Sequence, residues 1–256
     1  MTICLSGCSL VQGGKVILQD VSLQLAAGEV ISVVGPNGAG KSSLVALVAA
    51  TSQPSSGQLS LDGRPYGSIS LAERATRVAV LPQQTSLEFP FSVAEVIQLG
   101  RIPHGGGRHL QSPMLAEIMG CLALYDLRNR IYTSLSGGEK QRTQIARVLC
   151  QLWDRIAGSY FIFDEPTAAL DIGHQLVILR LLRELADRGA GVLVVMHDIN
   201  LAARCGDRLL LLKAGQVLGL GKPAEVLTAA RVTEAFGVMP QRLLLDDGSL
   251  QWVFVE

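Results

Sequence analysis

The run Gly35-Pro36-Asn37-Gly38-Ala39-Gly40-Lys41-Ser42-Ser43 holds the residue types that a polyphosphate needs. Glycines at 38 and 40 let backbone N–H groups approach phosphate oxygens without a Cβ in the way. A helix opening near Lys41 aims its positive dipole end at the same anion. Lys41 would reach the β- and γ-phosphates, and the Ser42 hydroxyl would ligate magnesium. A second run, Tyr160-Phe161-Ile162-Phe163-Asp164-Glu165, supplies what such a cradle lacks. Asp164, at the end of a buried strand, can hold the magnesium water shell, and Glu165 beside it can polarise an attacking water. Phosphoryl transfer requires mainly positioning and charge stabilisation, so Lys41, Asp164 and Glu165 nearly complete the machinery. Acidic residues end many strands, and this pair takes its meaning from the cradle that precedes it.

Short apolar runs must position these groups. Val30–Val34, Arg77–Leu81, Tyr160–Phe163, Gly191–Met196 and Leu209–Leu212 hardly alternate, as expected of strands buried on both faces. Helical stretches at Lys41–Ala50 and Leu170–Arg188 lie among them, the second closed by Gly189. Strands interleaved with helices predict an α/β fold with a largely parallel sheet. The middle reads differently: from Ser92 to Trp153 the pattern is helical. Ser92 with Glu95 makes a capping box, and Ser112-Pro113 makes a second helix start. The glycine run within Pro103–Arg108 predicts a loop between them. The first sixty or so residues and the stretch Leu209–Gly221 add hairpin-like strands, expected to form an antiparallel side sheet. The expected boundaries are 1–91 and 154–222 for the two parts of the α/β core, 92–153 for an inserted helical subdomain, and 223–256 for a small C-terminal extension of helix and strands.

The bulk properties remove several classes. The 256 residues carry a formal net charge of zero, which gives no support to a nucleic-acid binder. Apolar stretches such as Val192–Met196 are far below the roughly 20 residues a bilayer span needs. No charged-then-apolar leader opens the sequence, so a membrane role is expected to come through a partner. Five cysteines stand singly at 4, 8, 121, 150 and 205, an arrangement that predicts buried thiols and no disulfide framework. His104 and His109 read as a solvated loop pair.

At Leu135-Ser136-Gly137-Gly138-Glu139-Lys140-Gln141-Arg142 the sequence resembles the signature of the ATP-binding cassette family, and the resemblance extends over nearly the whole chain. Ser136, Gly137 and Gly138 open a helix running to about Trp153, a second anion-binding N-terminus. The family's fold is a P-loop NTPase core with an antiparallel side sheet and a helical insertion. Its members bind ATP with Mg2+ and pair head to tail, each signature closing on the γ-phosphate held by the other copy. The resemblance implies further roles: Gln83 as the glutamine that contacts magnesium and water, with Gln84 as the neighbouring candidate; Ala168-Ala169-Leu170-Asp171 as the loop between the two sites; and His197 as the switch histidine on the γ-phosphate. Where the family stacks an aromatic residue on adenine, this sequence offers Leu10, with Val16 beside it, which implies weak discrimination among purines.

The tract Leu87–Arg101 resembles ATPase subunits serving importers of metal chelates. Phe89-Pro90-Phe91-Ser92-Val93 and Cys150-Gln151-Leu152-Trp153 are most similar to those of bacterial hemin importers. The implied partners are a second copy of the chain, membrane permease subunits and, indirectly, a periplasmic heme-binding protein, with no nucleic acid. The implied location is the cytoplasmic face of the inner membrane. Ferric siderophores or cobalamin are the competing cargoes. A regulatory cassette without catalysis is opposed by the full set Lys41, Asp164, Glu165 and His197. A cassette acting on DNA or in translation is opposed by the neutral charge and by the lack of long insertions.

Overall fold

Two sheets and a block of helices surround the phosphate loop in the computed structural model, which describes residues 1–83, 87–105, 113–244 and 250–254. The side sheet is formed by β1 (Thr2–Gln12), β2 (Lys15–Ala26), β4 (Ser56–Leu61) and β5 (Arg64–Pro65), all antiparallel in the order β2-β1-β4-β5. The central sheet comprises β3 (Val30–Val34), β6 (Val78–Leu81), β7 (Tyr160–Asp164), β8 (Gly191–Val195), β9 (Arg208–Lys213) and β10 (Gln216–Gly221), in the order β10-β9-β3-β8-β7-β6. Only β10 runs antiparallel in it.

The expected side sheet is therefore present, but the hairpin over Leu209–Gly221 is not part of it: β9 pairs in parallel with β3. Both faces of β9 are covered, which places it in the central sheet. Residues 209 and 211 face one core and residues 210 and 212 the other. The same two-residue period divides β3, β7 and β8, since successive side chains leave opposite faces of a strand. Runs without polar alternation thus follow from a sheet sandwiched between two apolar layers. One core lies between the side sheet, the central sheet and α1 (Lys41–Val48).

The second core packs the opposite face against α3 (Val93–Gln98), α4 (Pro113–Cys121), α5 (Gly137–Leu152), α6 (Ile172–Asp187) and α7 (Ile199–Cys205), while the short α2 (Leu71–Ala75) precedes β6. Among the described residues the helical block from 92 to 153 shares its core with the central sheet: Val96, Leu115 and Ile145 lie in one cluster with Leu81, Phe161 and Phe163. Its helices start as expected: Ser92 and Glu95 form a capping box, and so do Ser136 and Glu139. Pro113 opens α4. Leu99–His104 is a 3₁₀-helical segment, not loop, and the glycine run beyond Gly105 lies outside the described residues, as do Gln84 and His109. His104 is half-buried rather than solvated, its Nε2 lying 2.8 Å from the Gln151 carbonyl oxygen. Gly189 ends α6 with φ 90°, where its lack of a Cβ removes the penalty.

Residues 150–153 tie this block to the core. The Gln151 amide donates to the carbonyls of Ala75 and Val78, at 2.7 and 3.0 Å. The Trp153 indole N–H donates to Glu117 at 2.9 Å, with the Arg188 guanidinium 4.6 Å from its ring centroid. Phe91 packs against the core, whereas Phe89 is 68% exposed. The C-terminal region adds α8 (Pro223–Val226), α9 (Ala229–Phe236) and the hairpin β11 (Pro240–Leu244) with β12 (Leu250–Phe254). Cys8, Cys150 and Cys205 are buried thiols, burial pushing the latter two up to about 11 and about 12; Cys121 is exposed and Cys4 half-buried, contrary to expectation. Among the described residues no helix is long and apolar enough to cross a membrane.

Candidate functional site

The parallel strands β3, β8, β7 and β6 lie side by side, so the segments leaving their C-terminal ends converge, the usual place for a site in an open α/β sheet. The phosphate loop follows β3, His197 follows β8, Glu165 follows β7 and Gln83 follows β6. They line a cleft of about 550 Å3 with Ile17, Asn37, Gly38, Gly40, Lys41, Ser42 and Ser43.

The loop is shaped by close packing as much as by its ligand. Gly40 adopts φ 99°, and a Cβ there would come within 2.8 Å of Leu18 and 3.0 Å of the Ile17 carbonyl oxygen. At Gly35 a Cβ would lie 2.2 Å from the Leu212 carbonyl oxygen. Gly38 has open space around it and owes its residue type to φ 77°. Ala39 is buried with its methyl in the side-sheet core, so its side chain does not face the cleft. Gly35 and Pro36 stay out of the lining but present carbonyls to the Lys41 ammonium at 2.8 and 3.0 Å. Burial lowers the Lys41 pKa, and the charges of Glu165 and Asp164 oppose that shift.

Asp164 is 2% exposed at the end of β7, and its Oδ1 has no hydrogen-bond partner. Burial raises its carboxyl above the ordinary range, opposed by the facing Ser42 hydroxyl and the Lys41 charge. A buried carboxylate oxygen without a partner costs several kcal/mol if left so. With the Ser42 hydroxyl beside it, this hard-oxygen pair fits a magnesium ion that keeps most of its waters.

Glu165 adopts φ 55°, a left-handed backbone that costs a residue with a Cβ roughly 1–2 kcal/mol. Both carboxylate oxygens are engaged: His197 Nε2 lies 2.6 Å from Oε1, and the Gln83 amide donates to Oε2 at 3.2 Å. The carboxylate is thereby aimed at the cleft between two groups that are themselves exposed.

Leu10 and Val16, expected at the nucleotide, stand elsewhere. Leu10 is 3% exposed in the side-sheet core, opposite Leu18, and does not reach the cleft. A bulge at Ser6-Gly7 shifts the β1 register, so the inward set passes from Ile3 and Leu5 to Cys8 and Leu10. Val16 is 60% exposed across from Val11 and is absent from the cleft lining. Half-buried Ile17 is the apolar residue that β2 presents there, and sequence reasoning missed it. Asp171 caps α6 by accepting from the His174 amide at 2.9 Å. Ser136, Gly137 and Gly138 open α5 outside the cleft lining, on the loop around Ala169. Two glutamines also passed unnoticed as contacts: Gln141 donates to the Glu165 carbonyl at 3.2 Å, and Gln151 ties α5 to the core.

The family model described as ABC transporter matches residues 18–168. A protein of Pseudomonas entomophila named Hemin import ATP-binding protein HmuV is 47% identical over 232 residues, covering 91% of each chain. Among solved structures, an inward-facing ABC transporter of metal-chelate type superposes with TM-score 0.81 at 24% identity, over 100% of this chain and 97% of that one. A dimeric bacterial ABC transporter cassette gives TM-score 0.74 at 29% identity, over 86% of this chain and 98% of that one.

Proposed function

The chain belongs to the ABC transporter family and hydrolyses ATP as its ATP-binding subunit, and from that premise we propose that it powers heme uptake through a membrane permease. The observation that carries the cargo is the 47% identity, over nearly the full length of both chains, to a hemin import ATP-binding protein. Ferric siderophore or cobalamin import by the same machinery is the second reading, resting on the resemblance of the Leu87–Arg101 tract to ATPases of metal-chelate importers.

The proposed division of labour follows the cleft. The N–H groups of the loop from Gly35 to Ser43, the α1 dipole and Lys41 bind the β- and γ-phosphates. Ser42 and Asp164, with Gln83, would hold Mg2+, which when bound neutralises charge developing on the phosphate oxygens. Glu165 orients a water in line with the γ-phosphorus and draws its proton as the bond to the leaving ADP oxygen breaks. His197 and Gln83 each take one lone-pair direction of a Glu165 oxygen, and a carboxylate offers about four, so both can steady the group while a water approaches; His197 has the γ-phosphate as a further partner. Ser136, Gly137 and Gly138 lie apart from their own chain's cleft, which supports a head-to-tail pairing of two copies around two nucleotides. Phe89, exposed just after the Gln83 loop, belongs to the surface that meets the permease. A periplasmic heme-binding protein would deliver cargo, and the chain would sit at the cytoplasmic face of the membrane.

Growth of a strain lacking this chain tests the cargo. Loss of growth on heme as sole iron source, with normal growth on a ferric siderophore, is expected. Loss on the siderophore alone would overturn heme while leaving the ATPase intact. Glu165→Gln is expected to bind ATP and accumulate a closed dimer, and wild-type turnover in that variant would remove Glu165 from its role.

A further inference from the structure

Glu165 holds its carboxylate in place from a left-handed backbone turn, and something must fix that turn. Two bonds come from nearby backbone: the Glu165 N–H donates to Val195 at 3.1 Å, and its carbonyl accepts from the Ala168 N–H at 3.2 Å. A third comes from the helical block, where the half-buried Gln141 side chain donates its amide N–H to the same carbonyl at 3.2 Å. Gln141 lies in the first turns of α5, the helix whose N-terminal end is Ser136-Gly137-Gly138. That end rests on the loop following Glu165 as well. A Cβ at Gly138 would lie 3.1 Å from the Ala169 carbonyl oxygen, and one at Gly137 would lie 3.7 Å from the Ala169 methyl. Ala169 too is left-handed, at φ 60°. The start of α5 and the segment from Glu165 to Ala169 are therefore packed at three points, only one of which is a side-chain hydrogen bond. A shift of α5 must carry the Glu165 carbonyl with it or break that bond.

We propose that Gln141 is a positioning residue for ATP hydrolysis: it fixes the backbone turn that aims Glu165 and links that aim to the placement of the α5 N-terminus. The proposal rests on Glu165 being the group that polarises water. In a head-to-tail pair the α5 N-terminus faces the other copy's nucleotide. Each Glu165 is thus mechanically connected, through Gln141 of its own chain, to the nucleotide bound by the partner.

Steady-state hydrolysis by the complete transporter tests this with Gln141→Met, Gln141→Glu and Gln141→Lys. Methionine keeps the length and loses the donor; lysine keeps a donor. Glutamate sets an oxygen against the Glu165 carbonyl when ionised and can donate only when protonated. The Met variant is expected to lose about tenfold or more in kcat, since small misplacements of a catalytic group are costly, with KM and Kd for ATP within about threefold of wild type. The Glu variant is expected to lose at least as much kcat as the Met variant, since its carboxylate, ordinarily ionised above about pH 5, sets an oxygen against the Glu165 carbonyl throughout the assay range. Lysine should recover part of the loss. Wild-type kcat in the Met variant would overturn the proposal. So would parallel losses of kcat and ATP affinity in all three variants, with no recovery by lysine, the pattern of a tie that only supports the fold. Glu165→Gln, run beside them, separates the two levels of the argument. If it turns over normally, the reading of Glu165 fails; if it is inactive while the Met variant is normal, only the role of Gln141 fails.

Discussion

Among the described residues, Asn200 is the side chain that hydrogen-bonds the C-terminal hairpin to the helix following the His197 segment. The Asn200 amide N–H donates to the Trp252 carbonyl at 3.1 Å, and its Oδ1 accepts from the Trp252 N–H at 2.8 Å. Asn200 thus imitates a strand, satisfying both backbone groups of one β12 residue, and Trp252 is 6% exposed beneath it. Replacing Asn200 with alanine removes both bonds. At about 0.5–1.5 kcal/mol each, the docking of β11–β12 weakens by roughly 1–3 kcal/mol, a factor of roughly 5–150 in the undocked population. The chain has two tryptophans, so a Trp153→Phe background leaves Trp252 as the only indole reporter. In that background Asn200→Ala should raise acrylamide quenching of Trp252. Amide exchange in residues 240–244 and 250–254 should accelerate by a comparable factor, while β7 and β8 keep their protection. Unchanged quenching and exchange would refute the reasoning, because the hairpin would then be held by its apolar contacts alone. Equal acceleration in β7 and β8 would refute it differently, by making the hairpin inseparable from global unfolding.

Arg142 donates to the carbonyls of Leu122 and Ala123, at 2.8 and 3.1 Å, closing the end of α4. Arg142→Met should cost about 2 kcal/mol and lower Tm by roughly 4–8 °C for a chain of this size, whereas an unchanged melt would assign those carbonyls to solvent. Burial favours a raised Asp62 carboxyl, yet Arg77, the Thr2 amide and the Tyr160 hydroxyl together hold it below the ordinary carboxylate range. A depressed carboxyl stabilises the fold above its unfolded value of about 4 and loses that contribution as pH falls through the folded value. Asp62→Asn should therefore be less stable than the parent at pH 7, with the gap closing below about pH 4; a constant gap in denaturation midpoints would contradict this. Half-buried Ile17, the apolar residue β2 presents to the cleft, offers a base packing without hydrogen-bond discrimination. Competition binding should find ATP preferred over GTP by less than about 100-fold, or 2.7 kcal/mol, and a larger preference would mean that a polar group reads the base.

What could be read from the sequence, and what could not, divides along a physical line. The strand Val30–Val34 has the bounds that its apolar residues predict, because a strand covered on both faces is apolar at both ends; its one polar residue, Ser32, is buried and donates to the Ala202 carbonyl at 2.9 Å. The capping box at Ser92 was legible for a related reason, since both partners lie within one turn of each other; at Ser136 the helix start was legible, and the structure adds Glu139 as its capping-box partner. Leu10 shows where such reasoning stops. Simple alternation from Ile3 and Leu5 would turn Leu10 outward, and the irregularity between Leu5 and Cys8, at Gly7 with φ 58°, turns Cys8 and Leu10 inward instead. Gly7 is an ordinary glycine in the sequence, and only the pairing with β2 marks it as the pivot. The hairpin Leu209–Gly221 was misplaced because a hairpin pattern says that two strands pair and not which third strand receives them. Gln141, Gln151 and Asn200 are the hardest cases, each spending its side chain on backbone groups far along the chain. Gln141 and Gln151 stand within motifs the sequence displays, yet a motif names no carbonyl contact, since the partner contributes an atom that every residue possesses. Such contacts become visible only when the fold packs α5 against β6, beside β7, and α7 against β12. For that reason the residues that hold the site were silent in a sequence whose reacting groups were plain.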